Sequence, residues 1–511
     1  MSTTASKSKK EEGEEEFYYP RQASGTWDPV DVRPLLPIYP PPEPLAYPAL
    51  PTPQRKPLFK LDVDLQTLAR EFNVDALKLP VGDVQDNPNF LDGDLPFDLT
   101  THIIPSCHLR TGRFEPIPSF PADSLSKEER AKVLARYKEE LRFDRGHLRT
   151  DGYPKVLWNC VNRYVRRGVG VGGAGGTGLT LFFAHANGFP KEIWEPTLAV
   201  LFASPAGKLI DEVWAWESVQ HGDAALLNRE SLSKYFDWQD NTRDIVNFLT
   251  NYLPTRVRSE ALPLHLERIP EEEAFERRES GYRYRRLMAV GHSYGGCTTT
   301  LAVENFPKLF DSLVLIDPVM AKPYQTEEVS KMSHGKTDAL LLGSLTRRDT
   351  WKSREDALTS YLRNPFFAAW HPAVLAVYIE SGLYSTTTTT PASSAPTPAV
   401  KLKMPGMYES ILFSERYVSH EAYQGLPFIE ARIPIRWVMP GRDDGDEFGA
   451  PGATAERCWV RGVNVSNIRV RGAGHLIAQE RPVELGEDLE AFILKHYARL
   501  VPEERVVRAS L

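Results

Sequence analysis

Between residues 156 and 500, short apolar runs alternate with stretches of helical spacing. Leu179-Thr-Leu-Phe-Phe-Ala184, Ile210 to Trp216, Arg286 to Val290, Leu313 to Ile316, Ile435 to Met439 and Ile468 to Val470 are such runs, and Val156-Leu157-Trp158 with Tyr164-Val165 suggests one more ahead of them. Segments this short and this apolar suit strands buried on both faces, as in a parallel sheet. Their alternation with helical segments predicts an α/β doubly wound domain.

The rhythm breaks between Ile316 and Ile435. That interval holds helical pieces (Ser353 to Leu362, Pro372 to Glu380) and a Thr/Ser/Pro tract from Ser385 to Pro398. A structureless connection of this length is improbable inside a compact domain, so residues 321–430 are expected to form an inserted helical lid, with the tract as a mobile loop. Residues 1–57 carry Lys/Glu runs and then Leu36-Pro-Ile-Tyr-Pro-Pro-Pro42, which predicts a disordered or draped arm. Residues 126–142 place Val133, Leu134, Tyr137 and Leu141 at helical spacing. The core is then expected in two parts, 58–320 and 431–511.

Composition narrows the class. The 511 residues are 41% hydrophobic and 25% charged, the balance of an ordinary globular protein, with a net charge of -7. That mild acidity, with no basic stripe, argues against a nucleic-acid partner. Cys107, Cys160, Cys297 and Cys458 are scattered, which fits free thiols better than a disulfide framework or a zinc site. The first residues lack an apolar signal core, and no run approaches the ~18 apolar residues of a spanning helix. A soluble, cytoplasmic protein is expected. The ending Ala509-Ser510-Leu511 resembles the peroxisomal tripeptide but lacks its basic middle residue.

Candidate chemistry centres on Gly291-His292-Ser293-Tyr294-Gly295. The motif follows an apolar run and leads into Cys297-Thr-Thr-Thr-Leu-Ala-Val, a plausible packed helix. Such a turn projects a serine hydroxyl above the strand ends, and its glycines keep side chains out of a crowded crossing. A hydroxyl needs a base. Gly472-Ala-Gly-His475 follows the last strand, in the required Ser…Asp…His order. The acid that orients the imidazole should end one of two earlier strands. Asp444 is the first choice, with Asp317 and Asp443 as alternatives. Tyr294 should lend its main-chain N–H to an oxyanion hole, and the second donor should be Asn187 or Phe189 in His185-Ala-Asn-Gly-Phe-Pro190.

Gly168-Val-Gly-Val-Gly-Gly173 has the dinucleotide-fingerprint form, yet a strand rather than a helix follows it at Leu179. It reads as a flexible connection. With no clustered His/Asp/Glu ligands either, no cofactor and no metal are expected.

With strand, elbow, acid and histidine in place, residues 95 to 500 resemble the α/β-hydrolase superfamily. His185-Ala-Asn-Gly-Phe-Pro-Lys-Glu192, His221-Gly222, Gly291-His-Ser-Tyr-Gly-Gly296 and Arg347-Arg-Asp-Thr-Trp-Lys-Ser-Arg-Glu355 are similar to a fungal branch of toxin-biosynthesis hydrolases and a yeast peroxisomal lipase. The resemblance implies the α/β-hydrolase fold, Ser293 as nucleophile, His475 as base, an acid at Asp444 or Asp317, and an ester-like or lipid-like substrate under a lid. Glu217-Ser218 stand where many members of the superfamily carry Asp. A non-catalytic ligand binder, or a cofactor-free lyase or haloperoxidase, is the rival reading of the same fold.

Overall fold

The computed structural model describes residues 17–23, 31–59, 95–119, 126–143, 146, 148, 153, 155–170, 178–323, 327–390, 393–442 and 452–500. Its centre is an eight-stranded sheet. The strands are β1 (Phe97–Pro105), β2 (Trp158–Arg166), β3 (Leu179–Ala184), β4 (Ile210–Glu217), β5 (Arg286–His292), β6 (Ser312–Ile316), β10 (Ile435–Pro440) and β11 (Val465–Val470), in spatial order β1-β2-β4-β3-β5-β6-β10-β11. From β4 to β11 every neighbouring pair is parallel, while β1–β2 and β2–β4 are antiparallel. Every residue of β3 and β6 is buried, which is why those strands read as unbroken apolar runs. Helices on both faces cover the sheet. Two large apolar clusters form, one with Phe182, Trp214, Trp216 and Tyr294, the other with Phe183, Trp194, Val290 and Ile316.

The edge strand β1 has no counterpart among the predicted runs. Its sequence, Phe97-Asp-Leu-Thr-Thr-His-Ile-Ile-Pro105, is partly exposed along its first half, so it lacks the continuous apolar signature. The helix predicted over 126–142 forms at Lys127–Glu140, and Ser126 and Glu129 close a capping box at its start.

One other expectation is corrected and one is narrowed. The Thr/Ser/Pro tract is a β-hairpin, not a loop. Strands β8 (Leu383–Thr390) and β9 (Ser393–Leu402) pair antiparallel, with β7 (Thr350–Trp351) on the other side of β9. β-branched threonines favour a pleated ribbon. The prolines fit because β7 pairs only with Val400 and Lys401, so at Pro398, opposite Thr387, that side of β9 carries no ladder. The proline-rich arm is draped and anchored rather than disordered in its described part. Arg33 bonds Asp237 at 2.7 Å and Glu421 at 2.6 Å, and both carboxylates are buried. Among the described residues, no helix is long and apolar enough to cross a membrane.

Candidate active site

Strand β5 ends at His292, and Ser293 turns the chain into the helix Tyr294–Asn305 with φ 54° and ψ -119°. An L-residue is held in this left-handed region only where surroundings over-determine it. Here they do. A Cβ on Gly291 would lie 2.6 Å from the Gly296 Cα, and one on Gly295 would collide with the carbonyl oxygens of Ala184 and His185. The elbow is therefore pressed directly against the exit of β3. The Ser293 N–H donates to the Ile316 carbonyl at 3.0 Å, which ties the turn to the end of β6 as well.

His475 arrives from the loop after β11. Gly472 takes a positive φ of 70°, and the Gly474 N–H donates to Glu480 at 2.9 Å, bending the loop back over the strand ends. His475 Nε2 lies 2.9 Å from Ser293 Oγ, and its Nδ1 lies 2.6 Å from Asp317 Oδ2. The His292 ring supports the same loop, its Nε2 donating to the His475 carbonyl at 2.9 Å. Burial, then the neighbouring His475, pushes His292 down to about 3, so it stays neutral.

The structure thus brings Ser293 and His475 together and seats Asp317 at the imidazole Nδ1, the place first assigned to Asp444. Asp443 and Asp444 lie outside the described residues. Their strand does reach the histidine loop, since the Arg442 N–H donates to the Ala473 carbonyl at 3.0 Å. The Nδ1 bond, however, is already made by the carboxylate that ends β6. Arg457 was not foreseen. Buried, it donates to the other Asp317 oxygen at 3.2 Å and to the Met320 carbonyl at 2.7 Å, so both carboxylate oxygens are fixed.

The β3 exit loop faces this elbow. The main-chain N–H of Gly188 donates to His221 Nε2 at 3.2 Å, and Gly188 takes φ 96°. Those of Asn187, Phe189 and Tyr294 make no hydrogen bond among the described residues, so all three expected donors are available. The Asn187 side chain is occupied elsewhere, its Nδ2 donating to the Glu409 carbonyl at 3.2 Å. Burial drives His221 well below its usual range and His185 down to about 4, so neutral rings support the loop.

Behind the loop sits a buried ionic cluster that joins Lys191 and Glu192 of the branch motif to residues distant in sequence. Lys191 Nζ reaches Asp223 at 2.7 Å, Glu192 at 3.0 Å and Glu217 at 3.2 Å, and Lys403 reaches Asp223 at 2.6 Å. The unusual Glu217 finds its explanation here. It accepts from the Lys191 and Ala224 N–H groups at 3.2 and 3.1 Å, and it occupies the space that a Cβ on Gly222 (φ 44°) would need. Glu217 fixes the shape of two turns. Among the described residues, no His/Cys/Asp/Glu group is arranged to hold a metal ion.

A family model described as alpha/beta hydrolase family matches residues 181–487. The chain belongs to that family. Among curated relatives, a type I acyl-CoA thioesterase, mpaH, of Penicillium brevicompactum is 23% identical over 265 residues, 51% of this chain and 45% of that protein. The peroxisomal membrane protein LPX1 of Saccharomyces cerevisiae is 32% identical over 146 residues, 28% of this chain and 32% of that protein. The chain therefore spans less than half the length of these relatives. The crystal structure of the peroxisomal α/β-hydrolase Lpx1 superposes with a TM-score of 0.51 at 18% identity, covering 82% of this chain and 94% of that one, which establishes the shared fold. Family and fold thus agree with the sheet order and with the branch that the sequence resembles.

Proposed function

We propose that this protein is a serine hydrolase that cleaves a carboxylic ester or thioester through an acyl-enzyme on Ser293. The observation that carries the reading is the chain of contacts Ser293–His475–Asp317, at 2.9 and 2.6 Å. A bond from Nδ1–H to Asp317 leaves the Nε2 lone pair facing the hydroxyl, the tautomer a general base needs. As Ser293 Oγ attacks the carbonyl carbon, His475 takes its proton and Asp317 steadies the imidazolium. The N–H groups of Tyr294 and of Asn187 or Phe189 receive the oxyanion, where one well-aimed donor is worth about 3 kcal/mol. His475 then protonates the leaving alcohol or thiol. Water, deprotonated by the same ring, releases the acid and restores the serine.

The thioester alternative draws support from the similarity to the type I acyl-CoA thioesterase mpaH. The segment between β6 and β10 is read as a lid over the site. Its Trp370 and Tyr378 rings pack 5.4 and 6.0 Å from Phe189 of the oxyanion loop, which suits an apolar acyl group. A fluorophosphonate probe tests the mechanism. It should label wild type at Ser293, located by peptide mass, and leave a folded Ser293→Ala variant unlabelled; labelling of that variant overturns the assignment. Rates on p-nitrophenyl esters and acyl thioesters of graded length then separate the two substrate types.

A further inference from the structure

Arg347-Arg348-Asp349-Thr350 opens one of the stretches that resemble the fungal branch, and neither Ser293 nor its partners use it. These residues form one wall of a cavity of about 1010 Å³ between the inserted segment and the stretch that follows β1. Five cationic side chains line the cavity against two carboxylates, on a chain whose net charge is -7. Two of the five are engaged by acids. Arg348 pairs with Asp356 at 2.8 Å, and Arg347 is in contact with Glu409. The other three, Arg130, Lys155 and Arg229, have no carboxylate partner among the described residues. Lys155 donates only to the Glu230 carbonyl and Arg229 only to the Tyr384 hydroxyl, both at 3.0 Å.

We infer that this cavity binds the phosphate-bearing end of the substrate, with Arg130, Lys155 and Arg229 as its anion ligands. The inference rests on the hydrolase reading above. Three unpaired cations around one hollow leave mutual repulsion that a multiply charged anion relieves, and phosphate esters present several acceptor oxygens on one small group. The volume is of the order that encloses a whole small ligand, more than a lone carboxylate fills. One helix links the cavity wall to the candidate active site by direct contacts. The helix Gly406–Ser414 starts with Gly406, Met407 and Tyr408 in the cavity wall. Its next residue, Glu409, contacts Arg347 and gives its carbonyl to Asn187, and a Cβ on Gly188 would lie 3.3 Å from its carboxyl group. Arg347, half-buried, keeps a buried Nε–H with no hydrogen-bond partner. An anion drawn to Arg347 therefore acts, through one side chain, on the loop expected to hold the oxyanion.

The phosphates could belong to a thiol carrier or to a lipid headgroup, and two pairs of probes distinguish them. Octanoyl-coenzyme A and octanoyl-N-acetylcysteamine share a thioester, but only the first carries phosphates. Dioctanoyl phosphatidic acid and dioctanoylglycerol play the same parts for a lipid. Each exposed ion pair is worth a factor of about two to five, so all three cations are changed together, as R130Q/K155Q/R229Q, and about a tenfold effect is expected. Calorimetric binding to the Ser293→Ala protein reads the cavity without turnover. One phosphate-bearing probe should bind more tightly than its phosphate-free partner, and that preference should fall about tenfold in the triple variant and with added salt. A ratio is insensitive to a misfolded fraction, since both probes lose equally. Equal binding of both partners in both pairs, or a preference untouched by the triple change, overturns the proposal. If wild type cleaves none of the four yet the binding preference behaves as expected, the hydrolase reading fails and the anion site stands.

Discussion

Two polar regions lie on either side of the β3 exit loop, and they use charge in opposite ways. In front, Ser293, His475 and Asp317 hold one carboxylate on an imidazole, with Arg457 behind it. Behind, Lys191, Lys403, Glu192, Glu217 and Asp223 pack five ionisable groups into a buried cluster. The front group faces the elbow with a partly exposed ring, its side chain 24% accessible, whereas Lys191 is fully buried. Buried ion pairs seldom add net stability over apolar packing, and breaking one by removing a partner is strongly destabilising. The rear cluster is therefore read as a device that fixes the shape of the loop. The front group is the one proposed to move a proton.

The comparison is sharpened most by the acid. Asp317→Asn keeps the shape of the β6 end but removes the charge that orients the imidazole, and a drop in kcat of about 10⁴ is expected. Asp444→Asn should change kcat by no more than about twofold. Esterase kinetics on both variants, with circular dichroism to confirm folding, decide between the two residues. Equal losses would mean that the carboxylate seen at Nδ1 is not the working one.

That choice of acid marks where the sequence stops being readable. The elbow is a local feature: an apolar run, paired glycines and a helix lie within some fifteen residues, and steric crowding at Gly291 and Gly295 explains each one. The central parallel strands β3, β5 and β6 were equally legible, because burial on both faces leaves few polar positions to blur the pattern, whereas the half-exposed edge strand β1 was missed. Asp317 and Asp444 both follow parallel strands, and their local sequences do not tell them apart. What separates them is the non-local path that takes His475 over β6. Arg457 and Glu409 reach the site by contacts across 140 and 222 positions, which no spacing encodes. The Thr-rich hairpin was misread for another reason: its composition is that of a loop, while its β-branched side chains favour a ribbon.

A second variant acts on the rear cluster. Lys191→Met removes the cation that Glu192, Glu217 and Asp223 share and leaves buried carboxylates uncompensated. The cost should be about 3–5 kcal/mol, read as a lower midpoint in urea unfolding. Near-wild-type stability would show that water reaches the cluster and screens it. Activity should fall less steeply than in Asp317→Asn, because the loop is loosened and the proton path is left intact.

The smallest effect is the most specific, because it follows from a single titration. Burial raises Glu217, Lys191 opposes this, and Glu192 and Asp223 raise it further, to about 7. A carboxyl group whose folded pKa stands above its unfolded value favours the folded state while it is protonated. Its contribution is complete below the unfolded value near 4.5 and is lost as pH rises through about 7. Glu217→Gln resembles the protonated side chain in shape and removes that titration. The melting temperature of wild type relative to Glu217→Gln should therefore fall by roughly 2–4 °C between pH 5 and pH 8, whatever constant offset the amide introduces. A difference independent of pH would place Glu217 ionised throughout, held by Lys191 more firmly than its acidic neighbours oppose it. A difference that grows with pH would reverse the sign and mean that the two lysines dominate the cluster. Because Ser293 and His475 lie outside the cluster, the dependence should appear equally in Ser293→Ala, which separates the stability of the loop from the chemistry in front of it.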